Sequence, residues 1–196
     1  MASDLATYGY NMRQLDKILI IDLEATCWET DAERPVGETS EIIEIGAVLV
    51  DLKTLQTEKK TSILVKPVRS KVSKFCTQLT TLTQEQVDTG VFLSEACNSL
   101  RKEFLSNERT WASWGDYDRN MMKQSCNYGP VYPFGPRHIN LKNMFAVLNG
   151  LPRELGMPAA LKKADLPLIG THHRGGDDAV NIANLFINMV GQFRGT

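Results

Sequence analysis

Three short apolar runs rich in β-branched residues fill the first third of the chain, and they limit its fold more than any other feature. Residues 17–23 (KILIIDL) and 41–52 (EIIEIGAVLVDL) have the character of central strands, and 61–66, closed by Pro67, reads as a third. The connection between the second and third is tight. Parallel neighbours need a crossover of roughly a dozen residues or more, so the expected arrangement is an antiparallel meander. Helical signals then take over. Thr83 to Gln86 has capping-box spacing, and Ser94 is placed to cap a helix carrying Ala96, Cys97, Leu100 and Phe104 on one stripe. Residues 109–114 read as a fourth strand, followed by a helix from about Asp118. Leu141, Met144, Phe145 and Leu148 recur at helical spacing before Asn149-Gly150, and a last helix carries Ala179, Ile182, Ala183, Phe186, Met189, Val190 and Phe193. Strands first, then helices alternating with strands, describe an α/β chain: a central mixed sheet flanked by helices. A short tail at 1–15 and one domain over 16–196 are expected.

With 196 residues, 42% of them hydrophobic, the chain is large enough for a real core. No window approaches the roughly 18 uninterrupted apolar residues of a membrane span, and 1–14 lacks the apolar stretch of a secretory signal. Cys27, Cys76, Cys97 and Cys126 form no C-x-x-C pair, which argues against a zinc ribbon or a dense disulfide framework. A cytoplasmic protein with reduced thiols and no membrane contact is expected. A homo-oligomer is compatible with the sequence but not indicated by it.

The net charge of −1 excludes the broad basic coat of a non-specific nucleic-acid wrapper, yet it averages two segregated zones. Between Lys59 and Gln84 stand six basic residues (Lys59, Lys60, Lys66, Arg69, Lys71, Lys74) and no acid, whereas Asp22 to Glu44 holds eight acids against Arg34 alone. Solvated faces would account for such runs. Adjacent acidic and basic zones also suit a site that holds cations and receives a phosphate chain.

Three motifs carry the chemistry. In Asp22-Leu23-Glu24 the two carboxylates alternate onto the face of Ile18 and Ile20, so an apolar face ends in a self-repelling pair. A hard divalent cation such as Mg²⁺ relieves that repulsion, although the strand could simply emerge into water there. In Trp114-Gly115-Asp116-Tyr117-Asp118 an acid stands at a helix start, where the dipole favours it regardless of function. Trp114 and Tyr117 could stack on bases, or serve as core. In His172-His173-Arg174-Gly175-Gly176-Asp177-Asp178 the last acid falls on the buried stripe of the final helix. Gly175 and Gly176 are read as a flexible turn letting His173 and Asp178 converge. Two cations roughly 3.5 to 4 Å apart need about this many carboxylates, and a histidine of reference pKa near 6.5 accepts a proton from water at neutral pH.

With those residues in hand, the chain resembles a DEDDh exonuclease of the DnaQ-like, ribonuclease H-like fold, in the branch of KapD-like bacterial proteins and the eukaryotic histone-mRNA 3′-exonuclease, and the resemblance implies a central mixed five-stranded sheet. The likeness is carried by LIIDLEATCWE (19–29), EIIEIGAVLVD (41–51), FCTQLTTLTQEQVD (75–88), WASWGDYDRNMM (111–122) and GTHHRGGDDAVNIANL (170–185), nearly the whole chain. It implies hydrolysis with two Mg²⁺ or Mn²⁺ ions at the 3′ end of single-stranded RNA or DNA, RNA favoured, releasing 5′-mononucleotides. The implied metal ligands are Asp22, Glu24, Asp118 and Asp178, with His173 as general base and His172, Asp116 and Asp177 as bystanders. Phe75 and Tyr117 are implied to hold terminal bases, and Ala25, Thr26 and Trp114 join them as candidate substrate contacts. Thr81 stands where the family often has glycine, and Asn140 where it often has aspartate. An oligoribonuclease-like phosphodiesterase acting on very short chains is the nearest alternative. A catalytically silent nucleic-acid-binding module is the alternative of a different class.

Overall fold

The structure, a computed structural model, describes residues 15–195. The expected tail at 1–15 therefore lies, apart from Leu15, outside the described residues.

Strand β1 (Lys17–Ala25) is the middle of a five-stranded sheet with β2 (Ile42–Asp51) and β3 (Thr57–Leu64) on one side, and β4 (Thr110–Ser113) and β5 (His138–Asn140) on the other. The pair β2/β3 is antiparallel, as its short connection requires, and β1/β2 is antiparallel too, whereas β1/β4 and β4/β5 are parallel. A central strand buried on both faces needs apolar residues at every position, which explains the unbroken run Ile18-Leu19-Ile20-Ile21. The third strand starts earlier than its β-branched core suggests, and Lys66 falls outside it.

Alternation along β1 divides the core in two. Leu19, Ile21 and Leu23 meet Leu100 and Phe104 of α3 (Leu93–Phe104) and Met121 and Met122 of α4 (Tyr117–Cys126). Ile18 and Ile20 face Phe145 of α5 (Leu141–Leu148), Leu161 of α6 (Met157–Lys163) and Ile182 and Phe186 of α7 (Gly175–Arg194). Two short helices, α1 (Lys74–Thr80) and α2 (Gln84–Asp88), cover a third cluster around Ile43, Cys76, Leu82 and Val87. Each fully buried aliphatic side chain contributes roughly 1.5–3 kcal/mol. The stripe expected on α7 ends one turn early, because Phe193 is 83% exposed. Among the described residues no helix is long and apolar enough to cross a membrane.

Candidate active site

The site forms where β1 runs out. Asp22 and Glu24 point to the α7 face, and the β1/β2 register sets them opposite Gly46 and Glu44. Gly46 decides how close α7 comes: a Cβ there would lie 1.8 Å from the Gly175 carbonyl oxygen, so only glycine lets the helix start directly on β2. Gly175 and Gly176 are themselves the first residues of α7, packed against Gly46 and Ser62. They serve close approach, not the flexible turn expected of them. The backbone irregularity falls on His173 instead, at φ +64°.

Glu44 fixes this junction. Its buried carboxylate accepts hydrogen bonds from Arg174 Nε and Nη2 (both 3.1 Å), the Gly175 N–H (2.9 Å) and Ser62 Oγ (2.6 Å). Just beyond, Asp178 is delivered inward. Its Oδ2 accepts the His173 N–H (2.9 Å) and meets His172 Nδ1 (2.8 Å), while its Oδ1 is buried without a hydrogen-bond partner among the described residues. His172 is thus no bystander: it holds the Asp178 carboxylate and stacks on the His173 ring at 3.8 Å between centroids. Asp177 turns away to accept the Thr171 N–H.

The third contribution comes from α4. Asp118, in its first turn, accepts the Leu23 N–H at 2.9 Å, which ties the helix start to the segment between Asp22 and Glu24. Asp116 faces elsewhere, bonded to Asn140 and paired with Arg119.

Carboxylate oxygens of Asp22, Glu24 and Asp178 lie within 4.8 Å of one another. Burial, then the charges of Asp118, Glu24 and Asp178, pushes the Asp22 carboxyl well above the usual carboxylate range. Burial followed by Asp178 and Glu44 raises Glu24 to about 8, and burial raises Asp118 to about 7 against the opposing Leu23 hydrogen bond. Burial and the adjacent His172 lower the pKa of His173. All-oxygen donors, mutual repulsion and one orphaned buried oxygen are the features a hard divalent cation would satisfy.

The cavity over these acids has a volume of about 380 Å³, and Ala25, Trp114, Tyr117, Leu79, Met157 and both histidines line it. Tyr117 presents an exposed ring, while Trp114 is fixed by its indole N–H donating to the Leu155 carbonyl. Two expected contacts are absent from the wall. Thr26 is fully buried, its Oγ1 accepting the Glu41 N–H and bonded to Ser70 Oγ, so its side chain braces the loop. Phe75 is half-buried on α1, and Leu79, one turn later on that helix, lines the cavity. The i, i+4 relation of Leu79 to Phe75 was the available signal, hidden because the helix itself was not legible. The basic zone is partly spent on structure, since Lys59 pairs with Glu103 and Arg69 with Glu41.

Comparison with known proteins follows this geometry. The Exonuclease (RNase T) family model matches residues 19–186. The 3′-5′ exonuclease Snipper of Drosophila melanogaster is 30% identical over 203 residues, covering 91% of this chain and 71% of that protein. The 3′-5′ exoribonuclease 1 of Rattus norvegicus is 31% identical over 186 residues, covering 89% of this chain but 53% of its own length. The chain thus spans between about half and seven tenths of these two relatives. Among solved structures, the nuclease domain of 3′hExo, a DEDDh family member bound to rAMP, superposes with a TM-score of 0.79 at 29% identity, covering 90% of this chain and 92% of that one. By sequence and by fold, the chain belongs to the exonuclease family, with its likeness to the ribonuclease H-like, DEDDh type of 3′-5′ exonuclease.

Proposed function

We propose that the chain is a 3′-to-5′ exonuclease of one domain over 16–196, acting in the cytoplasm on single-stranded nucleic acid, RNA in preference to DNA, and releasing 5′-mononucleotides. The observation that carries this reading is the convergence of four acids from β1, α4 and α7 on one cavity, with a histidine beside them. The name of the rat relative, an exoribonuclease, supports RNA. Four free cysteines support a reducing compartment.

Asp22, Glu24, Asp118 and Asp178 would hold two Mg²⁺ or Mn²⁺ ions. Such ions, when bound, stabilise charge on the phosphoryl oxygens and acidify water. His173 takes the proton of the attacking water on a ring nitrogen as the new P–O bond forms. The bond from phosphorus to the 3′-oxygen breaks, and that oxygen is protonated from solvent. The depressed basicity of His173 keeps it neutral, and so able to accept a proton, at physiological pH. His172 and the His173 N–H keep the Asp178 carboxylate oriented, while Tyr117 and Leu79 offer apolar surface to the terminal bases.

Incubation of 5′-labelled single-stranded RNA and DNA of matched sequence with Mg²⁺, Mn²⁺ or EDTA tests the reading. A ladder shortening from the 3′ end, faster on RNA, absent in EDTA and absent for Asp22→Ala, is expected. Internal cleavage or metal-independent hydrolysis would overturn it.

A further inference from the structure

A second cavity, about 520 Å³, opens between the first turn of α3, the end of α4 and the stretch after β3. That volume falls within the roughly 300–1,000 Å³ of ligand sites. Its wall is firmly built. Val65 and Val91 pair as an isolated bridge, the Lys66 N–H donates to the Val91 carbonyl, and the Val91 N–H donates to the Leu64 carbonyl. Gly90 permits the approach, because a Cβ there would lie 2.5 Å from the Leu64 oxygen. The bridge sets Phe92 beside Lys66 at the mouth, with Phe92 52% exposed.

Across the cavity stands Tyr128, 59% exposed, with the Arg69 guanidinium 3.7 Å from its ring centroid. Arg69 is itself anchored by Glu41, the one acid on this wall among the described residues. The Glu41 carboxylate is already engaged by the Arg69 and Ser70 N–H groups, so it presents little free negative charge. Lys66 makes no ion pair among the described residues. Two exposed rings, one cation outside any ion pair among the described residues and an acid already satisfied by its neighbours match the stacking and phosphate contacts of single-stranded nucleic acid.

The position matches as well. The start of β2 and the end of β3 lie at the same end of the sheet as the end of β1. Helix α4 joins the two cavities, with Asp118 in the acid cavity and Ser125 on the wall of the second. They are about two turns apart, roughly 11 Å, or about three nucleotides at the stacked spacing of ~3.4 Å.

We propose that this second cavity is an upstream subsite for the strand whose 3′ end occupies the acid cavity, with Phe92 and Tyr128 contacting bases, Lys66 contacting a phosphate and Arg69 holding the Tyr128 ring in place. The proposal rests on the exonuclease reading and names where the rest of its substrate lies.

Hydrolysis of oligoribonucleotides from dimers to decamers, with decamer affinity measured in Ca²⁺, tests it. The wild-type KM is expected to fall as the strand passes roughly three to five nucleotides. Phe92→Ala, Tyr128→Ala and Lys66→Gln should remove that step, each raising decamer KM and Kd roughly 5- to 100-fold. Decamer kcat, dimer hydrolysis and melting temperature should stay at wild-type values. Should Tyr128→Ala unfold, Tyr128→Phe is expected to fold and keep the step, while Lys66→Gln still loses it. Wild-type length dependence in Phe92→Ala and Lys66→Gln would overturn the subsite. Absence of any hydrolysis by the wild type would overturn the exonuclease reading instead, and decamer Kd would still judge the subsite: loss in the variants supports it, no loss rejects it.

Discussion

Two groups of buried acids stand at the same end of the sheet, drawn largely from one acidic stretch of sequence, and they are built on opposite principles. Glu41 and Glu44 are each surrounded by donors. Glu41 accepts the N–H groups of Arg69 and Ser70 together with Ser70 Oγ, and Glu44 accepts Arg174, Gly175 and Ser62. Asp22, Glu24, Asp118 and Asp178 instead face one another, three of them with carboxyls pushed up in pKa, and Asp178 keeps a buried oxygen with no partner among the described residues. Both groups carry the cost of leaving water. The first recovers it from the protein's own donors, whereas the second recovers only part of it, through the Leu23 and His173 N–H groups and His172, so the first is architecture and the second is a site whose remaining compensation comes from outside.

The comparison breaks most sharply on activity. Asp22→Ala, Asp118→Asn and Asp178→Asn should each lower kcat by roughly 10²- to 10³-fold or more with the fold intact, as expected when a group stabilising transition-state charge is lost. Asp116→Ala, which removes an acid bonded to Asn140 and Arg119 outside the cavity, should stay within a few-fold of wild type. Loss of activity in Asp116→Ala with full activity in Asp118→Asn would reverse the assignment. His173→Ala should cost roughly 10² to 10⁴ in kcat and abolish the fall in rate as pH drops through the histidine's pKa. Because His172 holds Asp178, His172→Ala is expected to fall between His173→Ala and wild type while keeping that acid limb.

On stability the two groups should respond in opposite senses. Glu44→Gln takes the counter-charge from the half-buried Arg174 guanidinium and weakens the acceptor that holds the Gly175 N–H and Ser62, and should destabilise by about 1–3 kcal/mol. For a chain of this size that is a melting temperature roughly 2–12 °C lower. Asp22→Asn removes a repelling charge and should raise the melting temperature in EDTA. Equal losses in both variants would mean that the acids of the cavity are structural too.

Much of this was legible in residue order, for reasons that differ by element. The β1 and β2 runs had no competing reading, since continuous β-branched residues fit a strand buried on both faces, and Asp178 was fixed by its phase on the α7 stripe. What escaped was set by tertiary approach. Helix α1 (KFCTQLT) has weak helical propensity and is held by the Ser73 cap and the packing of Cys76, so Leu79 could not be placed. The work of Gly46, Glu44 and His172 depends on where α7 lands on β2, which no local pattern encodes. Thr26 looked available because strict alternation would set it on the face of Asp22 and Glu24, but the register shifts between Glu24 and Ala25, and its side chain bonds Ser70 and the Glu41 N–H instead.

The smallest expected effect concerns a residue in neither group. Thr81 ends α1 at φ +63°, a conformation that disfavours a β-branched side chain and suits glycine. Thr81→Gly should stabilise by about 1 kcal/mol, or roughly 2–4 °C, without altering any response to divalent ions. A change in metal response would tie the α1 turn to the acid site.

The central claim is that the acid cavity is completed by divalent cations, and melting curves across pH with and without them test it most directly. Because the carboxyls of Glu24 and Asp118 have pKa values raised to about 8 and about 7, the metal-free fold holds protons that the unfolded chain releases. The contribution of these two groups to its stability is therefore fullest below about pH 4 and is lost as pH rises through about 7 to 8. Cations take the place of those protons. Saturating Mn²⁺ or Mg²⁺ should raise the melting temperature little at about pH 5 and most at about pH 8, by roughly 5–11 °C at a hundredfold excess over Kd, and less in Asp22→Asn. A melting temperature at about pH 8 that is the same in EDTA and in saturating Mn²⁺ would contradict the account.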